Sequence, residues 1–390
     1  MPWSRRPFSG CNAAHALNIA DLREIARRRV PGFAFEYVEG GAEDEATLRR
    51  NREAFAALRF LPQTLVDTSG RSLETSFFGR RCAAPLVIAP TGLNGMLHPD
   101  GDLGLARAAA AFGIPFTLST FSTTRLEDVA AKAGGRLWMQ LYVMKNRAIA
   151  EDIMARAAAA GYEALLFTSD ANVFGSREWD KRNYARPGKP RFTAVLDTMR
   201  HPRWLIDVLL RNGIPRFRNI EAFVPPGAAS AVGGSTIIPQ MFEPTITWAD
   251  IAWIRRHWPG KLLIKGVLTL ADARRAADAG CDGIVLTNHG GRQLDHCVAP
   301  IEVLGEIAAA VGDRLTIVID SGFRRGSDIA KALALGAHTV MIGRPALYGL
   351  AADGERGVRR ALDVLAIELD RVLGQLGCRS VADLQASLLR

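Results

Sequence analysis

The 390 residues are 48% hydrophobic and 23% charged, enough to bury one large core or two smaller ones. A net charge of +9 and an isoelectric point near 9.7 suit nucleic acid, anionic lipid or an anionic small molecule as partner. No RNA- or DNA-binding motif accompanies that charge, so nucleic acid is the weakest of the three. Cys11, Cys82, Cys281, Cys297 and Cys378 show neither CxxC nor zinc spacing, which fits a reduced, cytoplasmic protein with no metal site. The first residues, Met1 to Arg6, lack the apolar core of a signal peptide, and no apolar run is long enough to span a membrane.

Residues 1–84 read as a helical extension, clearest over 19–29. From residue 85, short apolar runs alternate with amphipathic segments. The runs 85–89, 115–118, 137–142, 164–168, 262–265, 283–286, 315–320 and 339–342 are the predicted strands. Helices are predicted near 102–112, from 126, and over 147–160, 248–257, 271–279, 301–311, 327–335 and 354–373. Eight such alternations predict an α/β fold, a closed parallel (β/α)8 TIM barrel over 85–377, with a tail at 378–390. The strand ends carry polar residues: Thr91, Ser119, Gln140 with Tyr142, Thr168 with Asp170, Lys265, Thr287 with His289, Asp320 with Arg324, and Arg344. Chemistry in a barrel gathers at those carboxyl ends.

The fourth loop breaks the rhythm. Residues 171–247 form an insertion far longer than an ordinary βα loop, which marks it as functional, mobile or both. Within 171–220 stand eleven Lys or Arg against four Asp or Glu, beside the apolar run Trp204 to Leu210. Basic residues flanking an apolar stretch fit an anchor on an anionic membrane, with Trp204, Leu205, Leu209 and Leu210 entering the interface. They equally fit a lid packed on the barrel or on a neighbouring subunit.

After the sixth strand comes Thr287-Asn288-His289-Gly290-Gly291-Arg292-Gln293. The imidazole can take a proton near neutral pH, and the guanidinium can hold a carboxylate through two parallel bonds. A base beside a carboxylate clamp suggests oxidation or proton abstraction next to a carboxylic acid. A capping histidine and a solvated arginine would give the same two letters. Further on, Asp320-Ser321-Gly322-Phe323-Arg324 and Gly343-Arg344 follow strands seven and eight, where barrels commonly bind phosphate. There is no GxGxxG after a first strand, which argues against a nicotinamide dinucleotide.

The motif Thr287 to Gln293 resembles the active-site segment of the FMN-dependent α-hydroxy acid oxidase and dehydrogenase family. The resemblance runs from Tyr37-Val38-Glu39-Gly40-Gly41 to Gly377-Cys378. Through Ala89 to Gly95, His201 to Trp204 and Asp320 to Asp328 it is nearest the (S)-mandelate dehydrogenase branch. It implies His289 as base, Asp170 as its partner, Arg292 and Arg177 as carboxylate clamp, and Tyr37 and Tyr142 as donors to substrate. It implies FMN held by Thr91, Gly92, Ser119, Gln140, Thr168, Lys265, Thr287, Asp320, Gly322, Arg324, Gly343 and Arg344. It also implies a homo-tetramer that oxidises an L-2-hydroxy acid to the 2-keto acid. Electrons would pass to a quinone or other acceptor at the inner face of the cell membrane. Gly92, where oxidases usually have alanine, favours a dehydrogenase. Phe121 stands where relatives have tryptophan or a small residue, and a ring there narrows the pocket. A mandelate-like substrate is favoured, L-lactate or another short acid is the alternative, and a non-catalytic phosphate-ligand-binding barrel is the reading from another class.

Overall fold

The computed structural model describes residues 8–186, 189–225 and 227–390. Eight parallel strands close a barrel: β1 (Leu86–Ile88), β2 (Phe116–Leu118), β3 (Leu137–Leu141), β4 (Ala164–Thr168), β5 (Lys261–Val267), β6 (Gly283–Leu286), β7 (Thr316–Ile319) and β8 (Thr339–Ile342). They pair in sequence order, and β8 returns to β1 through Val340–Leu86, Met341–Val87 and Ile342–Ile88. Almost every residue in these strands is buried, as a sheet covered on both faces requires.

Strand alternation sorts the side chains. Val87, Trp138, Leu166, Leu263, Val285, Val318 and Met341 pack together in the barrel interior, while Leu86, Ile88, Leu165, Ile264 and Leu286 join the core under the helices. Two residues beyond the interior layer, the same alternation aims Gln140, Thr168, Lys265, Thr287 and Asp320 at the upper mouth. The polar strand ends thus follow from one register.

The lower mouth is closed by a hairpin, Thr75–Phe77 against Arg80–Cys82. Phe77 meets Trp138 edge-on at 5.9 Å, and the Trp138 indole donates to Glu163 Oε1 at 2.6 Å. The sequence reading made the whole extension helical. These three-residue strands, one half of them Arg-Arg, carry too little apolar alternation to register. The rest of the extension is helical, with Ile19–Arg29, Gly32–Glu39 and Ala46–Ala57. The last helical stretch also begins earlier than expected, at Arg344. It runs to Leu376 with a break where Asp353 and Gly354 leave helical geometry.

The fourth loop, read as one long insertion, folds into short pieces: Glu178–Arg182, Phe192–Met199, Pro202–Trp204, a wide helical turn at Leu205–Leu210, and Ala231–Met241. Trp204 corrects one expectation. It is buried, donates its indole N–H to the Met96 carbonyl at 2.8 Å and meets Phe33 edge-on at 5.6 Å. Leu205 and Leu209 are half-buried against the same core, and of the four expected interfacial residues Leu210 stays exposed. The buried indole binds the loop to the barrel because its N–H finds a carbonyl there, which an interfacial position would not supply.

Candidate active site

The segment after β6 is built residue by residue. His289, Gly290 and Gly291 take φ values of 59°, 67° and 74°, three consecutive left-handed residues. Such a turn is costly for a histidine, so its surroundings must hold it. Thr287 Oγ1 accepts from the His289 N–H at 2.9 Å, and Ser321 Oγ accepts from the Gly290 N–H at 3.1 Å. Asn288 donates to Asn51 Oδ1 at 2.7 Å while Asn51 donates back to Asn288 Oδ1 at 2.9 Å. At Gly291 a Cβ would come 2.8 Å from the Leu48 backbone nitrogen, so the glycine permits the extension to close on the loop. Gln293 donates to the carbonyls of Asp170 at 3.0 Å and Val173 at 3.2 Å, which ties this segment to the fourth loop.

The result brings His289 against Asp170. Their Nδ1 and Oδ1 atoms lie 2.9 Å apart, and the other ring nitrogen, Nε2, faces the Tyr142 hydroxyl at 3.5 Å. With Nδ1–H donated to the carboxylate, Nε2 is left as the basic nitrogen. Burial pulls the imidazole below its ordinary range, opposed by Asp170 and reinforced by Lys265. Burial pushes Asp170 up, yet the His289 charge when the ring is protonated, the Lys265 charge and the bond to His289 hold the carboxyl below its ordinary value. A neutral base and an ionised partner therefore coexist at neutral pH.

Arg292 emerges three residues after His289. Its guanidinium lies over the Tyr37 ring at 5.3 Å and donates to the Gly40 carbonyl at 2.6 Å. Arg177, from the fourth loop, donates to the Arg292 carbonyl at 3.3 Å. Burial and the neighbouring Arg177 charge pull Arg292 down to about 9, the signature of a cation that an anion would stabilise. Burial pushes the Tyr37 and Tyr142 phenols up, so both remain neutral donors. Tyr37 meanwhile donates to the Gly92 carbonyl at 3.2 Å.

Around the mouth, Gln140 accepts from Ser119 Oγ at 3.3 Å and donates to Thr168 Oγ1 at 3.0 Å, a continuous polar edge across β2, β3 and β4. Lys265 is 4% exposed and faces Asp170 and His289, a carboxylate already engaged by the imidazole. Asp170 Oδ2 is buried with no partner. The buried ammonium suits an electron-rich edge of a planar guest, whereas the orphaned oxygen calls for a donor. Asp320 accepts from Ser321 Oγ at 2.8 Å, beside Gly322. Arg324 donates to the Phe323 carbonyl at 2.8 Å and lies 5.6 Å over the Tyr348 ring, with other donors left for a phosphate. Arg344, after Gly343, donates to four carbonyls: Val38 and Gly290 at 2.8 Å, Gly40 at 3.1 Å and Glu39 at 3.3 Å. It clamps the extension to the segment after β6, and these carbonyls take most of the donors that the sequence reading assigned to the FMN phosphate.

Of the wall of this site, sequence reading found Phe121 and missed its partners. Phe121 stacks on Tyr142 at 5.2 Å and meets Phe217 at 5.5 Å and Phe242 at 5.9 Å. Phe242 also meets Tyr142 at 5.1 Å and Phe174 at 4.6 Å. Phe174, Phe217 and Phe242 are scattered through the fourth loop without period, so no local signal joins them. Asp180 and Asn51 were missed for the same reason.

Residues 26–390 match the FMN-dependent dehydrogenase family. The chain belongs to the FMN-dependent dehydrogenases. The dehydrogenase is 45% identical over 374 residues to the (S)-mandelate dehydrogenase of Pseudomonas putida, across 96% of this chain and 93% of that protein. It is 42% identical over 368 residues to the L-lactate dehydrogenase of Azorhizobium caulinodans, across 93% of this chain and 96% of that protein. Among solved structures, the monotopic membrane protein (S)-mandelate dehydrogenase superposes with a TM-score of 0.91 at 44% identity, over 96% of this chain and 99% of that one. The cofactor of the dehydrogenase is FMN, which the polar edge and the buried Lys265 fit.

Proposed function

We propose that this dehydrogenase oxidises a mandelate-like L-2-hydroxy acid to the 2-keto acid and passes the electrons to a quinone or other membrane acceptor rather than mainly to oxygen. The observation that carries the reading is the His289–Asp170 pair at 2.9 Å, with a basic Nε2 open toward Tyr142 and the Arg292 guanidinium three residues away. Arg292 and Arg177 would fix the substrate carboxylate, and Tyr37 and Tyr142 would donate to its oxygens. His289 Nε2 would take a proton from the substrate. Asp170 would stabilise the imidazolium so formed, as a buried carboxylate does for a catalytic histidine. FMN, when bound, would accept the two electrons released at the carbinol carbon together with the second proton that the carbinol loses. Lys265 would hold it beside the base, Ser119, Gln140 and Thr168 along its polar edge, Thr91 and Gly92 against its face, and Arg324, with the backbone near Gly322 and Gly343, at its phosphate.

The aromatic wall favours an aryl substrate over lactate, because rings meet edge-to-face at the 5 to 6 Å separations seen here. At Gly92 a Cβ would lie 3.2 Å from Phe121 Cβ and 3.5 Å from the Tyr37 hydroxyl, so glycine keeps this wall in place.

Membrane attachment is part of the same proposal. No helix among the described residues is long and apolar enough to cross a bilayer. On the helix Phe192–Met199, however, Phe192, Val195, Leu196 and Met199 form one stripe, 75%, 41%, 41% and 66% exposed. Arg191, Arg200 and Arg203 flank it. An apolar face edged by arginines suits an anionic interface. The test of function is anaerobic flavin bleaching with mandelate, L-lactate and other 2-hydroxy acids, followed by reoxidation with air or quinone. Failure of every acid to bleach the flavin would leave a non-catalytic binder.

A further inference from the structure

Asp180 stands on the short helix Glu178–Arg182 of the fourth loop, beside the arginine clamp. Its Oδ2 lies 3.9 Å from Arg292 Nη2, and its Oδ1 is buried with no hydrogen-bond partner. Burial pushes the Asp180 carboxyl above its ordinary range, and the charges of Arg292, Arg177, Arg344 and Lys181 oppose that rise, while Asp180 in turn raises Glu36. A buried carboxylate oxygen without a donor is unfavourable, so its placement calls for a compensating role. The role lies in the charge of the clamp. Arg292 and Arg177 together present two positive charges to a single carboxylate. Two like charges in a half-buried site repel and over-attract multivalent anions.

We propose that Asp180 is the built-in counter-charge of this clamp, leaving one net positive charge and so matching the site to a monocarboxylate. The inference rests on the reading of Arg292 and Arg177 as the carboxylate clamp. Asp180 acts through Arg292 and is a positioning residue. It faces Nη2 of the guanidinium while the Gly40 carbonyl holds Nη1. Because Asp180 belongs to the fourth loop and Arg292 to the segment after β6, the pair also makes clamp charge depend on the folded position of that loop.

The test uses the FMN-loaded enzyme and two ligands that carry no oxidisable hydroxyl, phenylacetate and phenylmalonate, which differ by one carboxylate. Binding is followed by the change in flavin absorbance. Asp180→Asn should raise the affinity for phenylmalonate relative to phenylacetate by roughly tenfold, the effect of one unit charge a few ångströms away in a partly screened site. Asp180→Ser should shift the ratio in the same direction, and serves if the asparagine variant does not fold. Asp180→Glu should keep the wild-type ratio. A purely structural role would lower stability and leave the ratio alone. An unchanged or reversed ratio in the folded Asn or Ser variant overturns the inference. Phenylacetate binding by wild type that is indifferent to Arg292→Lys would instead overturn the clamp reading beneath it.

Discussion

Asp170 Oδ1 and His289 Nδ1 meet at 2.9 Å across 119 residues of chain. One partner ends β4 and the other opens the segment after β6, with β5 between them in the barrel. The second Asp170 oxygen is buried and has no hydrogen-bond partner. This contact fixes which nitrogen of His289 is basic, and the first two predictions follow from it.

The acid limb of the pH profile of kcat/KM should fall with a midpoint below the ordinary histidine value of about 6.5, because burial depresses His289. The sign is that of a base: activity is present above the midpoint and lost below it, where the imidazolium cannot accept a proton. Asp170→Asn removes the charge that raises His289, so the midpoint should move lower still while the plateau rate drops. A midpoint that rises in this variant would contradict the pairing.

His289→Gln should retain flavin and slow anaerobic flavin reduction by at least roughly 10²–10⁴-fold, the range for losing a general base. Stopped-flow reduction under nitrogen measures it. Near-normal reduction would remove His289 from the mechanism.

Replacing Arg292 with lysine should raise KM for the 2-hydroxy acid by roughly 10- to 100-fold. An ammonium cannot hold the Gly40 carbonyl and a carboxylate at once with planar geometry. Steady-state kinetics on the purified variant decide this, and a KM within threefold of wild type, about what an ordinary surface change gives, would argue against the clamp.

Phe242 touches Tyr142, Phe121 and Phe174, so Phe242→Leu keeps apolar bulk while removing the edge-to-face contacts. The ratio of kcat/KM for mandelate over L-lactate should fall by roughly 2- to 10-fold, the worth of aromatic pairing beyond buried area. An unchanged ratio would show that the wall does not select the substrate.

Leu196→Glu with Met199→Glu should abolish sedimentation with anionic vesicles at low salt and leave soluble turnover intact. Trp204→Phe should do the reverse. It loses the bond to the Met96 carbonyl, worth about 1 kcal/mol, and should lower Tm without weakening vesicle binding. Equal pelleting of all three proteins would remove the stripe from the membrane contact and leave the loop as a lid.

The sequence by itself determined the barrel and the mouth at which its polar strand ends gather. Eight short apolar runs with helical segments between them permit few other closures. The two-residue alternation of a strand is written in adjacent letters, so Gln140, Thr168 and Lys265 were legible as one rim. His289 and Arg292 were legible together because they are three residues apart. The tertiary structure alone decided what depends on distant segments meeting. Asn51 with Asn288, Arg344 with four carbonyls of two distant segments, and Asp180 beside Arg292 leave no trace in any local window. The fourth loop is the sharpest case. Its charge and apolar content were plain, but an indole beside leucines reads the same whether it faces lipid or barrel. Only the Met96 carbonyl, more than a hundred residues away, turns Trp204 inward and leaves Phe192, Leu196 and Met199 outside.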